Sequence, residues 1–175
     1  MILHLNMRLM PTDRENLFEG PLGEALRACG IGEVDGGETL RSPEGMPLSC
    51  DVDLVVDPEK EAELVAFLVR LDSIAVGSYL EVGSEQVPLG TLEGLCLALD
   101  GVGLPDEVYE QADLNALVDE LDDRLGDAGF YASYYIGPKY TNLYFYGDSY
   151  EEMEEAVRAY ARTCPQCAQC IIGQV

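Results

Sequence analysis

The feature that most constrains this chain is an order of apolar patterns that runs through it twice. Residues 2–9 alternate Leu3, Leu5, Met7 and Leu9 against His4, Asn6 and Arg8, the period of a strand with one face buried. GPLGEALRACG follows as a helix: Pro21 suits its first turn, Leu22, Leu26 and Cys29 make an apolar stripe, and Gly30 is a natural stop. IGEVDGGETL reads as a strand with a bulge or turn at Gly36-Gly37, and CDVDLVVD alternates again through Cys50, Val52, Leu54 and Val56. Asp57-Pro58 caps and opens a helix carrying Leu64, Phe67, Leu68 and Leu71, and SYLEV closes the set.

The second half repeats the order. LEGLCLALDG alternates Leu95, Leu97 and Leu99, and a helix from about Asp113 carries Leu114, Leu117, Val118, Leu121 and Leu125. FYASYYIG and TNLYFYG are paired strands, Ser149 with Glu152 makes a capping box before the next helix, and AQCIIGQV is the final strand. The halves share a phrase at the first helix end, Leu26, Cys29, Gly30, Ile31 against Leu125, Ala128, Gly129, Phe130. Each half therefore reads β-α-β-β-α-β. The expected fold is α+β, two tandem ferredoxin-like halves with antiparallel sheets, spanning residues 1–86 and 87–175 with the boundary in GSEQVP.

The pieces IGEVDGG, CDVDL, LEGLCLALDGVGLPDEVYE and LYFYG resemble a group of small uncharacterised bacterial cytosolic proteins. In size and charge the chain is also loosely similar to the acidic immunity proteins that neutralise bacterial toxins. Neither resemblance assigns a role to any residue.

Charge bears on partners rather than fold. Ten Lys and Arg against 33 Asp and Glu leave a net −23, which repels nucleic acid and anionic lipid and favours basic partners. No apolar run approaches the roughly 20 residues of a membrane span. The opening residues have neither a basic stretch nor a small-residue cleavage site, so a cytoplasmic location with six reduced cysteines is expected.

Candidate sites come from strand alternation. On the helix-free face of the first sheet, Glu33, Asp35, Asp51 and Asp53 fall on neighbouring strands beside His4 and Arg8, a set of oxygen ligands for a hard cation or for acid–base work. The same spacing arises on any solvated strand face. Seven of the ten tyrosines lie between Tyr131 and Tyr150, and Asn142, Tyr144 and Tyr146 alternate onto the open face of the second sheet as a partner-binding surface. The same rings also suit packing between the two halves or between two chains. Cys164, Cys167 and Cys170 are spaced for zinc, but no second knuckle accompanies them, and the run follows a helix rather than opening one. Ordinary thiols are the favoured reading. No phosphate-loop glycine pattern or nucleophile elbow is present, and no cofactor is expected.

The function expected from sequence is binding rather than catalysis: an acidic inhibitor or immunity-type protein for a basic protein partner, with no nucleic acid and no membrane. A divalent-metal enzyme built on the four carboxylates is one alternative, and a structural homodimer is another.

Overall fold

The computed structural model describes residues 1–175. In chain order its elements are β1 (Ile2–Leu5), α1 (Pro11–Arg14), a π-helical turn (Glu15–Glu19), α2 (Gly20–Cys29), β2 (Gly32–Arg41) and β3 (Pro47–Val56). There follow α3 (Glu61–Leu68), β4 (Ser78–Val82), β5 (Glu85–Leu89), β6 (Glu93–Asp100), α4 (Asp106–Glu110) and α5 (Leu114–Leu125). The chain ends with β7 (Phe130–Ile136), β8 (Tyr140–Gly147), α6 (Tyr150–Ala161), a 3-10 turn (Pro165–Cys167) and β9 (Ile171–Gln174). It forms two compact units, Met1–Leu92 and Glu93–Val175.

In the first unit the sheet order is β2-β3-β1-β4-β5, with every neighbour antiparallel. In the second it is β7-β8-β6-β9, again antiparallel throughout. With β5 set aside, both units have the strand order and the β-α-β-β-α-β sequence of a ferredoxin-like domain. The fold is α+β, two ferredoxin-like units in tandem.

Alternation produces each core. Leu3 and Leu5 of β1 meet Val52 and Cys50 of β3 on one face, and all four are buried, as are Leu64 and Leu68 of α3 and Leu22 and Leu26 of α2. In the second unit Leu95, Leu97, Leu143 and Phe145 turn toward Leu117, Leu121 and Leu125 of α5 and Met153 and Val157 of α6, spaced to share one helix face. Asp113 and Ser149 cap α5 and α6 by accepting N–H groups of Ala116 and Glu152, worth about 1 kcal/mol each.

Three features depart from the sequence reading. The boundary expected at residue 86 falls inside β5, and the units divide at Leu92 because β5 hydrogen-bonds along β4 as an edge strand. Pro88 masked that strand, since a proline fits only where its missing N–H faces away from a neighbour. The first helix starts at Pro11, nine residues before GPLGEALRACG, through the π-helical turn. Its inward residue there is Arg14, whose charge hides the apolar period. The shared phrase at the helix ends is also not structurally equivalent: Gly30 caps α2 in the left-handed region at φ +66, whereas α5 stops at Gly126 and Gly129 is extended.

Most of the 33 carboxylates have no opposite charge to meet among ten bases, so the native state carries net self-repulsion. Raising NaCl from low salt to about 1 M is expected to raise the melting temperature by several degrees as that repulsion is screened. A melting temperature that falls with salt would show that local ion pairs outweigh it.

Candidate functional site

The first sheet's helix-free face is built by one row of directly opposed residues. His4 of β1 stands opposite Asp51 of β3 and Tyr79 of β4, while Asp51 faces Glu38 of β2 and Tyr79 faces Pro88 of β5. His4 Nδ1 donates to Asp51 Oδ1 at 2.7 Å, and its ring stacks on Tyr79 with centroids 4.6 Å apart. Holding the proton on Nδ1 leaves Nε2 as an acceptor in the neutral ring. All three side chains are half-buried, so the cluster is ordered yet reachable.

Tyr79 also borders a groove of about 520 Å3, walled by Val69, Val76, Pro88 and Leu89 and edged by Ser78 and Gln86. Its floor is held by backbone bonds: Val76 N–H to Leu92 O at 2.8 Å and Thr91 N–H to Ile74 O at 2.9 Å. Asn6 ties the wall to β1, its N–H donating to Ser78 Oγ and its Nδ2 to Val76 O. Gly90 sits in the left-handed region at φ +83 with Ala75 O where a Cβ would stand, so no other residue can close this corner unstrained. The groove is mostly apolar and largely preformed, with a polar pair close behind its aromatic wall.

The proposed cation site is corrected by the same register. Asp51 is committed to His4, Asp53 is exposed beside Ile2 in the next row, Glu33 faces Val55, and Asp35 lies in the bulge between Val34 and Gly37. Arg8 lies beyond the end of β1 and donates to Leu48 O at 2.8 Å. The structure brings no three His, Cys, Asp or Glu side chains together in a group that could hold a metal ion, neither at the four carboxylates nor at Cys164, Cys167 and Cys170. Burial pushes the Cys167 thiol well up from its usual range, with the Cys164 thiol hydrogen-bonded to it, and burial raises Cys170 too.

On the second sheet Tyr144 and Tyr146 are each 1% exposed, while Asn142 is half-buried and donates to Tyr144 Oη at 3.2 Å. Tyr146 lies where a Cβ on Gly94 would come within 2.8 Å of its Cε1, so the missing side chain makes room for the ring. The two rings offer no free contact area.

The chain finds no match among protein-family models or among curated proteins. Among solved structures it is similar to the first two RRM domains of the yeast poly(U) binding protein Pub1, at 10% identity and a TM-score of 0.28, covering 100% of this chain and 99% of that one. At that TM-score the likeness carries neither fold nor function, and the ferredoxin-like assignment stands on strand order.

Two expectations drawn from charge are nonetheless corrected. An inhibitor for a basic protein partner was expected and nucleic acid was excluded, both on the net charge of −23. Net charge governs the rate and salt dependence of association and does not by itself choose the class of partner. The tyrosine face that was to anchor a partner, or a second copy in a homodimer, is buried. No helix is long and apolar enough to cross a membrane.

Proposed function

We propose that the protein binds a small planar ligand carrying an amino group, uncharged or cationic, on the first unit's open sheet face. One observation carries this reading: the Tyr79 ring is shared between an apolar groove of about 520 Å3 and the His4–Asp51 pair. Ligand sites commonly combine such a groove with a few convergent polar groups, and this volume lies in their usual span of roughly 300–1,000 Å3. A planar ring would pack against Tyr79, a positive charge on it would gain from the aromatic face and from the Asp51 carboxylate behind it, and its N–H groups would find Gln86 Oε1 at the edge as an acceptor. The net charge of −23 raises the local concentration of cations and disfavours anions of the same shape. A cytoplasmic location belongs to the same reading and is supported by six free cysteines.

Thermal melts with 4-aminopyridine, a cation, and isonicotinate, an anion of similar shape, test it. A ligand of the native state raises stability by about 2.7 kcal/mol at 100 times its dissociation constant. A saturable rise is expected with 4-aminopyridine alone, lost in Tyr79→Ala and weakened in Asp51→Asn. An equal response to isonicotinate, or one unchanged in Tyr79→Ala, would overturn the proposal. A uridine oligonucleotide is the third probe, since an acidic face repels its phosphates. Salt-sensitive binding of that oligonucleotide to the same face would replace the amine reading.

A further inference from the structure

The second unit contains a cavity that the first-unit groove does not explain. It lies at the end of β6, under α4 and beside the 3-10 turn, opens to solvent on one side and holds about 160 Å3. Its walls are apolar, from Leu99, Leu104, Val108, Ala112 and Leu114, with Thr141 and Gln166 supplying polar atoms at the edge.

The frame around it is closed by hydrogen bonds that leave its principal polar groups occupied. Asp100 Oδ1 accepts the N–H groups of Val102 and Gly103, both at 2.8 Å, which fixes the loop after β6. Those two bonds hold the Asp100 carboxyl below the usual carboxylate range, so at neutral pH it is an anion turned to its own loop. Tyr109 Oη accepts the Leu104 N–H at 2.9 Å and donates to Asp100 O at 3.3 Å, which clamps α4 onto the same loop. The cavity is thus shaped by a rigid loop and lined mostly by carbon.

Size then selects the occupant. The space is smaller than a drug-sized pocket, but an apolar cavity of about 150 Å3 in another protein stays dry and takes up benzene. Val108 and Gln166 also border a shallower groove of about 400 Å3 that reaches Cys164, so a substituent on the ring has a way out.

We propose that this cavity is a second ligand site, for a single uncharged aromatic ring whose substituent leaves past Gln166 toward Cys164. It shares no residue with the amine site proposed for the first unit.

The test uses the full chain with benzene and phenol as probes, read by thermal melts and by methyl NMR of the leucines. A saturable rise in melting temperature is expected, together with shifts of the Leu99, Leu104 and Leu114 methyls. Val108→Phe and Ala112→Leu fill the space and should each remove the response, while the 4-aminopyridine response of the first unit stays unchanged. With the wild-type site occupied by phenol, alkylation of Cys164 by iodoacetamide should slow severalfold. No saturable response in the wild type, a response that survives in both filled variants, or methyl shifts confined elsewhere would overturn the proposal. If one filled variant fails to fold, the other and the wild-type methyl shifts still decide.

Discussion

Tyr146→Ala is expected to lower the unfolding free energy by about 3–5 kcal/mol, and Tyr144→Ala by a similar amount, in urea melts of the full chain. Both rings are 1% exposed, so each truncation removes a large apolar area and leaves a cavity that strand backbone cannot collapse to fill. Tyr144→Ala also leaves the Asn142 Nδ2 without its acceptor. Gly94→Val should show the same defect from the other side, because its side chain would enter the space of the Tyr146 ring and of Val175 Cγ2, 2.9 Å from the Cβ position. Losses below about 1 kcal/mol in both tyrosine variants would mean that the rings are free in solution and would restore them as contact area.

Arg14→Met is expected to cost about 3 kcal/mol, at the lower end of the range for breaking a buried ion pair. The Arg14 guanidinium reaches Glu19 through Nε, Thr39 Oγ1 at 2.9 Å and Gly37 O at 2.9 Å, so one side chain ties the π-helical turn to the bulge of β2. Its side chain is 9% exposed and that of Glu19 16%, so the carboxylate left behind keeps some water. The double variant Arg14→Met with Glu19→Leu should recover much of the loss, because the penalty lies in the orphaned charge more than in the missing pair. If the double variant is as unstable as the single one, the bonds to Gly37 and Thr39 are what hold the turn.

Local chemistry made much of the fold readable. Period-two alternation placed Leu3, Leu5, Val52 and Leu54 on the buried face, and Asp113 and Ser149 marked two helix starts by their capping chemistry. Elements whose inward residue breaks the apolar rule were not readable. Arg14 hides the first helical turns, and Pro88 hides an edge strand that needs no N–H on its outer side.

The candidate site divided in the same way. His4 and Asp51 were placed on the open face by alternation, since that depends only on each strand's own period. Tyr79 was not singled out, because its role comes from pairing with His4 across β1 and β4, strands far apart along the chain. The carboxylate cluster failed for the converse reason: sharing a face says nothing of sharing a row, and register puts Asp51 with His4 while Asp53 stands beside Ile2. The sequence by itself thus determined which side of each strand meets the helices, because burial of apolar groups follows a local period. Only the tertiary structure decided which exposed residues touch and which rings are buried, because strand order and register act between segments distant along the chain.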